Sequence, residues 1–401
     1  MPESELPYES AWGWLVISEP RSRARVERRL GDPAAQGGGE RPLPRDLESA
    51  VAALTANPSG LNLPDLDAWL AGARYPAGPR PAFTKLPFDY RRVPGPIRNM
   101  GLGLLDRLAS RRPMPAFPEW PAEPRLDEAR GRAWAAAASA AGVPLLPPAW
   151  PGGARAAVVL THDLDVAADL GRVEPIRTLE REFGFPSAFG FVPRVSWPEL
   201  PQVERLAADG CDLYVHDYAH DGRLAFMARS RIEDIFARLF EDSPWARSLM
   251  RGFRSGQLLM TPGLLAALES TFDYDLSIPD TERGGPYGGV AGAGTVVPFA
   301  LGRLMELPLT LPQDFFLEHV MRLSPHEMAV AWQSKLDFVA QHGGVAVANT
   351  HPVWVNPSRP GAWRAYKELL EAIANRGDVW VATPSSVVEH LRSLKTGSAP
   401  S

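Results

Sequence analysis

Cysteine is almost missing from this chain: Cys211 is the only one among 401 residues. An intrachain disulfide, a cysteine-ligated metal cluster and a CxxC redox pair are therefore all excluded. Long apolar runs are missing too. WLVIS and AAVVL are each broken within about six positions, far short of the roughly 18 apolar residues that a bilayer span needs. No transmembrane span is expected. Neither sign of charge dominates, with 42 basic against 47 acidic residues and a pI near 6.0. That balance gives no global reason to expect nucleic acid or an acidic surface as partner. The opening MPESELPYES lacks the basic and apolar regions of a secretory signal, which points to the cytoplasm.

Histidine is absent from residues 1–150, so chemistry that needs imidazole belongs downstream. The same stretch holds 22 of the 41 prolines. It reads as a Pro-rich accessory region of unstated role, with a strand-like WGWLVIS, short helices at 46–56 and 64–72, and an Ala-rich helix around 133–141. Residues 96–112 carry Ile97, Leu102, Leu105 and Leu108 near helical spacing among arginines, a pattern that fits packing on the protein itself or peripheral contact with a membrane surface.

From Arg155 the texture changes to short apolar runs alternating with helical patterns, as in parallel strands joined by crossover helices. Strands are expected at AAVVLTH, SAFGFVP, CDLYVHDY, GFRSG, YDLSI, LMELPLTL, GGVAVANTH and VWVAT. Ser324-Pro325-His326-Glu327 has the form of a capping box, and Thr383-Pro384 opens the last helix in a similar way. The expected fold is α/β: a (β/α) barrel over residues 151–395, complete or irregular, rather than an open sheet, followed by a disordered tail at 396–401.

Three features at strand ends carry chemistry. VVLTHDLD places Asp163 and Asp165 two apart, so that in extended backbone they share a side. One acid is then free to bind a cation while the other stays a base, although two aspartates after a strand also suit a turn. VHDYAHDG spaces His216 and His220 four apart, on one face if the chain makes a helical turn, as in chelating HxxxH pairs. With one aspartate the set becomes two histidines and a carboxylate, leaving positions for water and substrate. VANTHPVWV sets His351 at the end of a late apolar strand, where a structural histidine is the plainer alternative.

These residues, in this order, resemble the polysaccharide deacetylase superfamily (NodB homology, carbohydrate esterase family 4) over roughly residues 156–392. Thr161-His162-Asp163-Leu164-Asp165 is similar to the first family motif in its D-x-D form, and His216–His220 to the second. GFRSG with Arg254 resembles the arginine motif, LPLTLPQD ending at Asp314 the sixth-strand region, and THP with His351 the last motif. The resemblance implies an irregular seven-stranded NodB-like barrel with Asp163 as catalytic base and His351 as general acid. Asp165, His216 and His220 would bind the metal, and Arg254 would orient Asp163. Asp314 is the candidate support for His351. The loop holding Gln257 normally supplies a backbone amide to the oxyanion. His162 stands where the family usually has phenylalanine, and Gly256 where it usually has proline.

The implied activity is metal-dependent amide hydrolysis, foremost N-deacetylation of an N-acetylated sugar or glycan intermediate. The divalent ion would be zinc first, with nickel, cobalt, iron or manganese also compatible. Tyr287, in the Gly-rich stretch at 284–294, is a further candidate substrate contact. The rivals are a cyclic amide or ureide hydrolase, a catalytically silent glycan-binding or interaction module, and a non-haem iron oxygenase using the same ligands. The sequence does not give the oligomeric state.

Overall fold

The computed structural model describes residues 6–17, 19–30, 80–85, 120–146, 150–281 and 292–398. The helices expected at 46–56 and 64–72, the amphipathic segment 96–112, Tyr287 and residues 399–401 lie outside the described residues.

The described chain begins with β1 (Tyr8–Ser10), α1 (Trp12–Val16), α2 (Pro20–Leu30) and α3 (Arg125–Ala140). Next come β2 (Ala156–Leu164), α4 (Val173–Glu182), β3 (Ala188–Phe191), α5 (Leu200–Ala208), β4 (Asp212–His216), α6 (Arg229–Asp242), α7 (Pro244–Leu249) and β5 (Met250–Arg254). Then follow α8 (Pro262–Glu269), β6 (Tyr274–Asp275), β7 (Phe299–Leu301), β8 (Leu304–Glu306) and α9 (Pro325–His342). The chain ends with β9 (Val345–Thr350), α10 (Pro360–Ala374), β10 (Val379–Val381) and α11 (Pro384–Thr396).

β2 to β5 run parallel in sequence order, followed by β6 and β8, while β9 pairs parallel with the other edge of β2. Every residue of β2 and β9 is buried, as expected of strands covered on both faces. These seven strands curl into an irregular barrel whose last gap is closed by the chain beyond β8. Leu309 N–H donates to Ile278 O and Leu311 N–H to Val347 O, at 2.9 and 3.0 Å. Between these the Thr310 hydroxyl donates to Val345 O and accepts from Val347 N–H, both at 2.8 Å. A side chain thus supplies rungs that a backbone ladder supplies elsewhere. β10 is a short addition beside the start of β2.

The helix signals are met. Ser324 and Glu327 form the capping box of α9, which ends on Gly343 in the left-handed region at φ 70°. Thr383 Oγ1 accepts from Ser386 N–H at the start of α11. WGWLVIS, expected as a strand, is corrected: residues 12–16 form α1. A Cβ at Gly13 would come 2.3 Å from the Trp134 ring of α3, so this turn is fitted around that indole, and packing overrides the β-branched and aromatic composition. The Ala-rich helix also starts earlier than expected, at Arg125.

The described amino-terminal residues are joined to the barrel. β1 extends the sheet antiparallel to β7, with Tyr8 opposite Leu301. Asp127 accepts from Val296 N–H at 3.1 Å and from the Thr295 hydroxyl. α1, α2 and α3 enclose a small second core that includes Val26, Leu126 and Trp134. From α2, Arg23 donates to Leu394 O and Lys395 O, a cation closing the carboxyl end of α11.

Candidate active site

Parallel strands end together, so residues far apart in sequence meet at their carboxyl ends. β2 delivers Asp163, with Asp165 just beyond it. β4 ends on His216, β5 on Arg254, and β9 is followed by His351. His216 and Arg254 are paired in register on neighbouring strands.

Asp165, His216 and His220 form a triad whose ligand atoms all lie within 4.8 Å of one another. His216 Nε2 and His220 Nε2 stand 3.1 and 3.3 Å from Asp165 Oδ1. Two donors around a tetrahedral ion with bonds of about 2.0–2.2 Å sit about 3.3–3.6 Å apart, so the three groups fit one divalent ion. The other ring nitrogen of His216, Nδ1, is 3.1 Å from Arg254 O. A hydrogen on Nδ1 donated to that carbonyl leaves Nε2 bare toward Asp165. The helical turn expected for HxxxH is corrected: residues 217–220 form a bent loop. Asp217 and His220 adopt positive φ of 58° and 53°, and this reversal brings the two imidazoles to 4.9 Å between ring centres.

Asp163 is buried and surrounded by donors. Its Oδ1 accepts from the Tyr214 hydroxyl at 2.6 Å and from Arg254 Nη1 at 3.1 Å, and its Oδ2 accepts from Asn349 Nδ2 at 2.8 Å. Arg254 also reaches Thr161, Tyr214 and Asn349 through Nη1 and Leu276 O through Nε. Burial pushes the Asp163 carboxyl up, but Arg254, His216 and His351 outweigh it and hold the group well below the usual carboxylate range. Asp163 is therefore ionised at neutral pH.

His351 faces this centre from β9. Its Nδ1 lies 2.6 Å from Asp314 Oδ1, its backbone N–H donates to Asp314 Oδ2 at 2.8 Å, and its Nε2 stands 3.9 Å from Asp163 Oδ2 and 4.0 Å from Asp165 Oδ2. Burial alone would lower its pKa, but the bonded Asp314, with Asp165 and Asp163 beyond it, raises it to about 10. The ring is cationic at neutral pH with Nε2–H directed at the acids.

The expectation for Gln257 concerns the backbone amide of its loop; its side chain turns to His220, with Nε2 at 3.3 Å from both Nδ1 and the carbonyl oxygen of that residue. Tyr214, Asn349 and Thr161 have no role assigned from the sequence. Each stands two positions before a residue that has one: Tyr214 before His216 and Thr161 before Asp163 on one strand, and Asn349 on β9 before His351 just beyond it. Strand alternation puts such pairs on one side, and that signal would have found them.

His162 also has a structural account. Its ring nitrogens lie 2.7 Å from Thr350 Oγ1 and 2.7 Å from Glu180 Oε1. Glu180 is fully buried and also accepts from Tyr366, Arg177 and Ser187. Behind the site there is thus a polar network where phenylalanine would leave an apolar contact.

No family sequence model matches the chain, and no curated protein matches it. Solved structures do. A protein from Mycobacterium smegmatis assigned to the polysaccharide deacetylases is 24% identical with a TM-score of 0.49, over 62% of this chain and 94% of its own. PuuE allantoinase is 14% identical with a TM-score of 0.47, over 61% and 92%. A carbohydrate esterase family 4 pseudoenzyme from Bacillus anthracis is 12% identical with a TM-score of 0.40, over 60% and 66%.

Proposed function

We propose that the chain is a metal-dependent amide hydrolase that removes the acetyl group from the nitrogen of an N-acetylated sugar or glycan intermediate. The observation that carries this reading is the placement of the His351–Asp314 pair opposite the Asp165–His216–His220 triad, with Asp163 between them.

Asp165, His216 and His220 would hold a divalent ion, zinc foremost, which would supply Lewis acidity and lower the pKa of bound water toward neutral. The chain's own groups do the rest. Asp163 is the base that takes a proton from the attacking water, and Tyr214, Arg254 and Asn349 fix its carboxylate so that it cannot rotate away. His351 carries a proton on Nε2 and gives it to the departing nitrogen, because an unprotonated amide anion leaves far too poorly. Asp314 holds the ring in the orientation and protonation state for that transfer. The products are acetate and a free amine.

The test is release of acetate from N-acetylhexosamine derivatives by purified, metal-analysed protein. Asp163→Asn and His351→Ala should each lose roughly 10²–10⁴-fold in kcat, the range for positioned acid–base groups. Ring opening of cyclic ureides without acetate release would replace this reading with ureide hydrolysis. No hydrolysis by the wild-type protein of any amide tried would leave a silent module, and oxygen consumption with Fe(II) would revive the oxygenase.

A further inference from the structure

A chain of hydrogen bonds leads away from the loop that follows β5. Residues 255–258 join Arg254, which holds Asp163, to Gln257, which meets His220. Gln257 and Leu258 both lie in the left-handed region, at φ 53° and 54°, although neither is glycine. Such backbone persists only where its surroundings over-determine it. Ser255 is held on two sides: its N–H donates to the Ser277 hydroxyl at 2.8 Å, and its own hydroxyl donates to Leu259 O at 2.6 Å. The Ser277 hydroxyl in turn donates to Asp275 Oδ1 at 2.5 Å. With its hydrogen committed to that carboxylate, Ser277 has only lone pairs left for the Ser255 N–H.

The chain ends on an acid pair. Asp275 on β6 and Glu306 on β8 are register partners on neighbouring parallel strands, so their side chains leave the sheet on one side, from backbones about 4.8 Å apart. Both residues are wholly buried. One oxygen of each is satisfied, Asp275 Oδ1 by Ser277 and Glu306 Oε1 by the Ile278 N–H at 2.9 Å. The other two, Asp275 Oδ2 and Glu306 Oε2, meet no donor among the described residues. Buried acceptors without a donor are costly, and two adjacent carboxylates also repel each other. One hydrogen between those oxygens removes both penalties.

The surroundings favour Glu306 as its owner. Burial and the Asp275 carboxylate push Glu306 well above the ordinary glutamate value. Burial raises Asp275 as well, but hydrogen bonds from Glu306 and Ser277 oppose the rise. Arg254 on β5 is the charged group acting on both acids, and it lowers both. Phe253 of β5 and Phe299 of β7, their other register partners, are apolar. We propose that Asp275 and Glu306 share one proton, Glu306 donating to Asp275, and that this singly charged pair is a latch holding Ser277, Ser255 and the strained loop at 255–258. The latch is set by a hydrogen rather than by a counter-ion, so it opens as pH rises and not as pH falls. It goes beyond the amide-hydrolase reading and does not depend on it.

The experiment is urea unfolding of the full chain between pH 5 and 7, together with amide hydrogen exchange of residues 254–259 read by mass spectrometry. An acid whose pKa is raised by folding stabilises fully below its unfolded value, near 4.3, and loses that contribution as pH rises toward the folded value. Glu306→Gln keeps a donor for Asp275 and an acceptor for Ile278 but cannot ionise. The ratio of folding constants, variant over wild type, should therefore rise by up to about tenfold per pH unit, with exchange at 254–259 unchanged. Ser277→Ala, which leaves both acids in place, should quicken that exchange. A ratio that falls or stays flat with pH, or a Glu306→Gln chain that does not fold, would show Glu306 ionised and overturn the shared proton. Unchanged exchange in Ser277→Ala would overturn the latch.

Discussion

Gly190 and Tyr214 face each other in register on β3 and β4, and the tyrosine ring occupies the space that a side chain at position 190 would need. A Cβ there would come 2.2 Å from Tyr214 Cε2. Glycine lets the ring lean toward β2, where its hydroxyl meets Asp163. Gly190→Ala should therefore cost about 1–3 kcal/mol in urea unfolding through overpacking. It should also lower turnover at least as much as Tyr214→Phe, although position 190 touches no reacting group. Normal turnover in Gly190→Ala would show that Asp163 does not need the tyrosine.

The Asp314–His351 bond sets a pH dependence. A general acid works while it keeps its proton, so activity through His351 should persist up to about pH 10 and fall above it. Asp314→Asn removes the bonded carboxylate that chiefly stabilises the cation and returns the ring toward the ordinary histidine range near 6.5. The alkaline limb of the kcat profile should then move down by more than one pH unit. Profiles that superimpose would remove Asp314 from the mechanism.

Metal binding has a readout that does not depend on turnover. An ion that binds only the folded chain raises the melting temperature as its concentration exceeds the dissociation constant. Added zinc should stabilise chelator-treated wild-type protein, and His216→Ala should show neither that shift nor retained metal by elemental analysis. Equal shifts in both proteins would place the ion elsewhere.

Glu180 gathers four donors from separate parts of the chain, so Glu180→Gln should be costly: about 3–5 kcal/mol at neutral pH, the range for breaking a buried ion pair. Burial pushes its carboxyl up, but His162 and the hydrogen bonds bring it below the ordinary glutamate value. A lowered acid stabilises the fold above its unfolded pKa, near 4.3, and loses that contribution as pH falls through the folded value. The gap between wild type and variant should thus narrow in acid below about pH 4. A gap that widens there would contradict the assignment.

Much of this site was legible because its residues sit where strands stop. Asp163, His216, Arg254 and His351 each follow an apolar run, and order along the chain is enough to gather them in a barrel. What was not legible depends on geometry across strands. Nothing in the sequence says that Gln257 faces His220, or that residues 217–220 turn through left-handed backbone rather than a helix. Nothing in WGWLVIS reveals an indole more than a hundred residues downstream. Tyr214 and Asn349 lie between these cases: alternation along the strand marks their side, but only the fold marks their partner.

The Thr310 hydroxyl has a consequence for how the ring moves. Elsewhere neighbouring strands are zipped by successive peptide groups, which separate only together. Here one alcohol does much of the fastening, and it stands four residues before Asp314. The carboxylate that steers His351 thus sits just beyond a seam fastened partly by a side chain, whereas His351 itself follows β9, which is laced to β2, the strand of Asp163, along six residue pairs.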